Sequence, residues 1–165
     1  MTTILTTARL ELRKFELTDA SFILELLNTP AWLQFIGDRN VKNEQDAVAY
    51  LENRLIKGYE GGFGFYVMML QDSKILIGIV GFVKRAELPH VDIGYALLPA
   101  YEGIGYAYEA VQATLEYGKK ALGFTTVLAI ITPNNVRSIK LIEQLGLQYQ
   151  QTIVLNQEDL LLYTT

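Results

Sequence analysis

Residues 90–121 constrain the fold of this chain more than any other stretch. They read HVDIGYALLPAYEGIGYAYEAVQATLEYGKKA, which predicts a short strand up to Pro99, a turn with glycines and a long amphipathic helix. The first amides of a helix have no partner inside it, and the helix dipole adds positive potential there. Gly103 and Gly105 carry no side chain, so a phosphate can approach the backbone. The sequence therefore predicts an anion site where this helix begins.

The helix pattern also predicts which side packs. An apolar stripe runs along one face, and we expect it to lie on a sheet. It consists of Ile104, Ala107, Tyr108, Val111, Leu115, Gly118 and Leu122. The polar residues are expected to face solvent, and they are Glu109, Gln112, Glu116, Lys119 and Lys120.

Several nucleotide-binding loops share this strand, glycine turn and helix. The dinucleotide motif G-x-G-x-x-G fails because Tyr108 stands at its third glycine, and the P-loop pattern is absent. Residues 99–110, PAYEGIGYAYEA, resemble the acetyl-CoA pyrophosphate loop of the GNAT superfamily of N-acetyltransferases, Gln/Arg-x-x-Gly-x-Gly/Ala. Glu102 occupies the Gln/Arg position, and we expect its carboxylate to point outward. A plain strand–helix turn is the alternative interpretation of the motif.

Two more stretches carry the same resemblance. The opening TARLELR (residues 7–13), followed by a helix near Thr18, resembles the RimJ/RimL-type branch of that superfamily. Asn135 and Ser138, before a helix that ends Leu-Gly-Leu at residue 147, match a third family pattern. The resemblance implies the α/β (α+β) GNAT fold. This is a mixed, mostly antiparallel sheet, splayed between its fourth and fifth strands, with helices on both faces.

Hydrophobic periodicity predicts the remaining elements and no linker, so residues 1–165 are expected to form one domain. Thr18 is expected to cap the first helix, which turns Phe22, Ile23, Leu26 and Leu27 inward. A brief helix or irregular connection is expected at residues 30–39, and a longer helix at residues 43–59, ended by glycines. The predicted strands are residues 8–15, 63–70, 75–84, 90–98 and 125–131, with a closing hairpin of residues 147–155 and 159–164.

Composition excludes several kinds of chemistry. The 165 residues include no cysteine and one histidine, which excludes disulfides, a cysteine nucleophile and a histidine-rich metal centre; we expect no metal. We expect neither a signal peptide nor a membrane-spanning stretch, and therefore a cytoplasmic protein without membrane partners. The net charge of −4 argues against nucleic acid and would suit a basic peptide substrate. We expect a monomer or homodimer.

The resemblance implies where acetyl-CoA binds as co-substrate. Its pantetheine arm would follow the backbone of Tyr95, Leu97 and Leu98, and an N–H near Leu97 would stabilise the oxyanion. Its pyrophosphate would lie over Glu102, Gly103, Ile104, Gly105, Tyr106 and Ala107. Asn135 would bond the pantetheine arm, cap the next helix, or do both. Arg137 and Lys140 either meet the phosphates or form a solvated helix face.

Transfer of an acetyl group to an amine needs a base for the amine and a proton for the leaving thiolate. The family tyrosine that supplies this proton, seven residues after the asparagine, is replaced here by Ile142. The resemblance to the RimJ/RimL-type branch implies Ser138 as the candidate for the thiolate contact, with capping or packing as its alternative. Asn135 is the other candidate catalytic residue of this segment. The resemblance implies an acid at Asp92, on the strand beside the thioester, and this makes Asp92 the candidate base, with an exposed strand carboxylate as the alternative. His90, expected on the same strand face, is the second candidate.

The resemblance implies that residues 30–39 overhang the acceptor site, where Trp32, Phe35 and Ile36 would form its wall. For Trp32, filling of the core is the alternative. The predicted function is acetyl-CoA-dependent N-acetyl transfer to a primary amine, directly within a ternary complex. A protein N-terminal α-amine of the ribosomal-protein type is one candidate acceptor, and polyamines and aminoglycosides are others. A catalytically silent acyl-CoA-binding module is the alternative from a different functional class.

Overall fold

The computed structural model describes residues 2–165. The helices are α1 (Ala20–Leu26), α2 (Pro30–Phe35), α3 (Glu44–Tyr50), α4 (Tyr106–Lys120) and α5 (Val136–Gln144). The strands are β1 (Thr3–Thr6), β2 (Leu10–Arg13), β3 (Phe65–Leu70), β4 (Leu76–Val83), β5 (Asp92–Leu97), β6 (Leu128–Ile131), β7 (Gln148–Leu155) and β8 (Glu158–Thr164). They form one eight-stranded sheet in the order β1-β2-β3-β4-β5-β6-β8-β7. None of the described helices has the length and apolar character needed to cross a bilayer.

The sheet is antiparallel except where β5 meets β6. These two strands run parallel and share one register pair, Asp92 with Leu128. Beyond that pair they diverge, although β5 continues to pair with β4 and β6 with β8. The predicted splay is therefore confirmed. It lies between the fifth and sixth strands of the structure, because the prediction did not include β1.

Helices cover both faces of the sheet, as the resemblance implied. One core lies under α4 and α5, and the other lies under α1, α2 and α3. Strand β3 shows the alternation that separates them, since Met68 belongs to the first core and Val67 to the second. Strand β4 is buried along most of its length, as its almost continuous apolar run predicted.

The N-terminal region corrects two predictions. The strand expected at residues 8–15 is shorter, and it forms a hairpin with β1. Thr18 does not cap α1, because it lies inside a 3-10 turn (Leu17–Asp19) that precedes the helix. Glu16 is the N-cap of this turn. The Asp19 carboxylate accepts the Glu16 N–H and pairs with the buried Arg13 guanidinium at 2.9 Å. This buried pair links the end of β2 to the start of α1.

The helix predicted at residues 43–59 is present but changes its winding. Asn43 caps α3 by accepting the Asp46 N–H, and a π-helical segment, Leu51–Ile56, continues the helix. Leu51 and Leu55 of that segment are buried. Left-handed Gly62, with φ of 93°, ends a following 3-10 turn, as the glycines predicted.

The packed face of α4 differs from the predicted stripe. Ala110, Val111, Thr114 and Gly118 are buried, whereas Ile104 and Tyr108 are 53% and 37% exposed. Ile104 precedes the helix, so the 3.6-residue period does not apply to it. A Cβ at Gly118 would lie 2.6 Å from the Phe82 ring, so small residues let α4 lie close to β4.

Candidate active site

The divergence of β5 and β6 opens a cleft of about 1150 Å³ through the sheet. Most of the predicted site residues line it: Trp32, Phe35, Ile36, Asp92, Tyr95, Leu97, Glu102, Gly103, Gly105, Ala107, Asn135, Arg137, Ser138 and Lys140. Leu98, Ile104, Tyr106 and His90 do not line it. The glycine turn, the open strand and the start of α5 therefore converge on one space.

The glycine turn has the backbone geometry of an anion cradle. Gly103 and Gly105 have φ of 76° and 93°, a left-handed conformation that favours glycine. Gly105 is the N-cap of α4, and its carbonyl accepts the N–H of Glu109. The amides of the three residues between them lie before the first hydrogen bond of the helix. These amides and the helix dipole give the turn positive potential.

Arg9 holds this turn from the side of the N-terminal hairpin. Its Nε donates to the Glu109 carboxylate at 2.8 Å, and its Nη1 donates to the Ile104 carbonyl at 3.2 Å. Its guanidinium lies 4.2 Å from the centre of the Tyr106 ring. The Thr7 hydroxyl and the Arg9 N–H also donate to Glu109. Glu109 was predicted to face solvent, and this prediction is wrong.

The hydrogen bonds also set the charge of Glu109. Partial burial would raise the pKa of its carboxyl, but the bonds from Thr7 and Arg9 outweigh burial and lower it. Glu109 is therefore ionised at neutral pH and complements the positive end of α4.

Glu102 does not point outward as expected. It lines the cleft, and its Oε2 accepts a hydrogen bond from Arg137 Nη1 at 2.6 Å. Arg137 follows the N-cap of α5, so this pair bridges the glycine turn and α5 across one end of the cleft. Its two side chains are 31% and 68% exposed, which limits its strength.

Asp92 lies at the vertex of the cleft, where β5 meets β6. Asp92 is only 2% exposed, so the alternative prediction of an exposed strand carboxylate is wrong. Burial raises the pKa of Asp92, while Arg85, whose Nε donates to Oδ2 at 2.9 Å, partly offsets that effect. Sequence reasoning missed Arg85. The register of β4 with β5 would have indicated this partner, because Val83 pairs with Asp92 and Arg85 follows Val83 by two residues.

Tyr95 brings a phenol to the side of the cleft formed by α5. Burial raises the pKa of Tyr95, and the nearby Ser138 side chain partly offsets this. Asn135 caps α5 by accepting the Ser138 N–H at 3.3 Å. Ile142 of α5 is buried and carries no hydroxyl group. The phenol on this side of the cleft therefore comes from β5 and not from α5. The sequence assigned only the backbone of Tyr95 to the site.

The opposite wall is formed by α2, α3 and the π-helical segment that continues α3. Trp32 is 7% exposed and belongs to the core, yet it also borders the cleft beside Phe35. Tyr50, Arg54 and Arg39 line the same wall and were not predicted. His90 is exposed and precedes β5, so its predicted position on the strand is wrong.

The backbone of β5 offers donors to the cleft. The Leu98 N–H donates to Ile77 of β4 at 2.8 Å. Because alternate residues of an antiparallel pair turn their N–H groups to opposite sides, Leu97 and Tyr95 direct theirs toward β6. Since β6 diverges there, these N–H groups border the open part of the cleft.

Comparisons with known proteins agree with this geometry. A family model described as an acetyltransferase (GNAT) domain matches residues 9–148. YnaD of Bacillus subtilis, an uncharacterized N-acetyltransferase, is 31% identical over 144 residues, which cover 87% of this chain and 82% of the relative. A GNAT-family acetyltransferase structure from Bacillus anthracis is 27% identical, with a TM-score of 0.80 over 97% of this chain and 96% of that one.

A more distant structure shares the fold alone. The ribosomal L7/L12 α-N-protein acetyltransferase RimL in complex with coenzyme A is 18% identical, with a TM-score of 0.83. The superposition covers 99% of this chain and 97% of that chain. From the family match and the relatives at 27–31% identity, we conclude that the chain belongs to the GNAT family and is an acetyl-CoA-dependent acetyltransferase.

Proposed function

We propose that this acetyltransferase moves the acetyl group directly from acetyl-CoA to the α-amine of a protein or peptide N-terminus. One observation carries the proposal. A single cleft contains a glycine cradle at one end, the buried Asp92 at its vertex and the Tyr95–Ser138 pair on the wall that faces α5. These groups match the requirements for an anionic cofactor tail, a base and a proton donor.

The residues of the cleft fit acetyl-CoA. The free amides in the first turn of α4 and the left-handed glycines accommodate a pyrophosphate. The N–H groups of Tyr95 and Leu97 suit an extended arm that carries amides, and the Leu97 N–H suits the oxyanion that develops on the thioester carbonyl. Asn135 uses its side-chain oxygen to cap α5, and its amide nitrogen stays available for the arm.

In the proposed reaction, the neutral amine attacks the thioester carbonyl carbon and the carbon–sulfur bond breaks. Asp92 accepts the proton that the amine loses, directly or through water. The leaving thiolate receives a proton from the Ser138 hydroxyl, which the Tyr95 phenol replenishes. The reaction leaves Asp92 protonated and Tyr95 as a phenolate, and proton exchange with solvent restores both groups.

An α-amine acceptor suits this limited set of acid and base groups. A protein α-amine has a pKa near 7.7–8.0, so roughly a third is neutral at pH 7.5, compared with about 0.1% of a lysine side chain. A buried carboxylate is a weak base, and it can serve an amine that is already largely neutral. RimL, which shares this fold, is an α-N-protein acetyltransferase, and this is consistent with such an acceptor.

The test measures thiol release from acetyl-CoA with N-terminal peptides, peptides blocked at the α-amine, polyamines and aminoglycosides. We expect release with free α-amines, and initial-rate lines that intersect, as a ternary complex requires. Faster acetylation of lysine side chains or of the small amines would overturn the proposed acceptor. Binding of acetyl-CoA with no transfer to any amine would favour the silent module instead.

A further inference from the structure

The charges that line the cleft differ in sign from those of the whole chain. Its lining includes three carboxylates, and two of them are neutralised by ion pairs: Asp92 by Arg85 and Glu102 by Arg137. Glu158 is the third. Four other lining cations remain, namely Arg39, Arg54, Lys84 and Lys140. The cleft is therefore locally positive, although the chain carries a net charge of −4.

Two of these cations lie on the acceptor wall. Arg54 is in the π-helical segment, four residues after Tyr50, and its guanidinium lies 6.0 Å from the centre of the Tyr50 ring. Arg39 lies between α2 and α3, after the aromatic residues of that wall. Among residues 2–165, neither arginine has a carboxylate partner within ion-pair distance, and both are exposed. Both guanidinium groups are therefore available to a ligand.

The other charges near this wall are already engaged or lie elsewhere. Lys84 donates to the carbonyls of Arg85 and Leu88. Lys140 is on α5, one turn after Arg137. Asp38, next to Arg39, pairs with Lys42 at 3.1 Å. The two arginines thus stand as the unpaired cations of the acceptor side, while Glu158 of β8 is the one lining carboxylate without an ion pair among residues 2–165.

We propose that the preferred acceptor is an acidic N-terminal segment, with carboxylate side chains in the few residues after the α-amine. This inference rests on the proposed function and names the substrate class of the same site. A planar guanidinium offers paired donors that match a carboxylate, and arginine is less strongly hydrated than lysine. The amine would reach Asp92 while the following carboxylates meet Arg39 and Arg54. The net charge of the chain alone favoured a basic peptide substrate, whereas the charges of the cleft favour an acidic one.

The first experiment uses three peptides that share the N-terminal residue alanine and carry Asp/Glu, Ser/Gly or Lys at positions 2–4. The readout is kcat/KM for thiol release at about 20 mM and at 500 mM salt. We expect the order acidic, neutral, basic at low salt, and a much smaller spread at high salt because exposed charges are screened. Equal rates, or a preference for the basic peptide, would overturn the inference while leaving α-amine transfer intact. No transfer to any of the three would instead contradict the proposed function.

The second experiment assigns the preference to the arginines. Arg54→Gln and Arg39→Gln should each lower kcat/KM for the acidic peptide about two- to fivefold, the range of an exposed ion pair, and affect the neutral peptide less than the acidic one. Lys57→Gln is the matched control, because Lys57 follows Arg54 by three residues, is exposed and does not line the cleft. A rise in KM for acetyl-CoA instead would assign the arginines to the cofactor phosphates and overturn the inference.

Discussion

Arg9 Nε and Glu109 Oε1 lie 2.8 Å apart, although 100 residues separate them in the chain. This contact joins the N-terminal hairpin to the first turn of α4. The contact therefore couples the opening motif, residues 7–13, to the glycine loop. Thr7 and Arg9 of the motif hold Glu109, Leu10 and Leu12 fill the core, and Arg13 pairs with Asp19.

Replacing Arg9 tests this connection. Arg9→Gln removes the cation that holds both Glu109 and the Ile104 carbonyl. We expect about fivefold weaker binding of coenzyme A, equivalent to about 1 kcal/mol, because the pair is 40% and 19% exposed and partly screened. Calorimetry of the folded variant measures this affinity. Lys120→Gln, at the far end of α4, is the control, and equal affinity in the two variants would contradict the role of Arg9.

Glu102→Gln should have the opposite effect. It removes a negative charge beside the proposed pyrophosphate site and frees Arg137. We expect coenzyme A to bind about two- to fivefold more tightly at low salt, with the difference shrinking as salt rises. Glu116→Gln, an exposed carboxylate further along α4, controls for net charge. Weaker binding by the Glu102 variant would mean that its pair with Arg137 shapes the loop.

Tyr95 and Ser138 are predicted to act as one unit. Tyr95→Phe and Ser138→Ala should each lower kcat by about a hundredfold, the lower end for loss of a general acid. The double variant should be little worse than either single variant, because both remove the same proton path. Coenzyme A affinity should change by less than about twofold. Tyr149→Phe on the exposed strand β7 is the control, and multiplicative losses would show that the two side chains act separately.

The pH dependence tests Asp92. A base acts only when ionised, so kcat/KM should fall at acidic pH as Asp92 becomes protonated. Arg85 lowers the pKa of Asp92 against the effect of burial, so Arg85→Gln should raise that pKa and move the acidic limb to higher pH. Asp92→Asn should lose less than about a hundredfold on an α-amine and recover most of it near pH 8.5, where the amine deprotonates unaided. An unchanged limb in the Arg85 variant would exclude Asp92 as the base.

Stability provides the control for that experiment. Burial raises the pKa of Asp92 in the folded chain above its unfolded value. Such a group stabilises the fold below its unfolded pKa, and this contribution is lost as pH rises through the folded pKa. Ionised Asp92 therefore opposes folding at neutral pH. Asp92→Asn should unfold at an equal or higher temperature than the parent at pH 7.5, so its lost activity would not reflect unfolding.

Local patterns predicted much of this structure. The glycine turn, strand β4 and the closing hairpin each carry a signal within a few adjacent residues, and all are present. Strand β1 was missed because four residues, TILT, give too short an alternation. The stripe on α4 was shifted because its period was extended back to Ile104, across the left-handed Gly105 that begins the helix.

Contacts between distant residues could not be predicted in the same way. The partners of Glu109 and Asp92 depend on how β2 approaches α4 and on the register of β4 with β5. The phenol of Tyr95 was overlooked because the expected tyrosine position lies on α5, whereas the structure supplies a phenol from the facing strand. The proposed cationic acceptor wall depends on which exposed arginines share one cleft.

The single register pair between β5 and β6 has a consequence for aggregation. Unpaired strand edges recruit other chains, and proteins usually protect them at the outer borders of a sheet. Here two such edges lie in the middle of the sheet, on either side of a gap that widens from Asp92 and Leu128. A second polypeptide strand needs an even spacing of about 4.8 Å along its whole length, which diverging strands cannot provide. The gap is thus open to a slender ligand and closed to a strand that would have to pair with both edges at once.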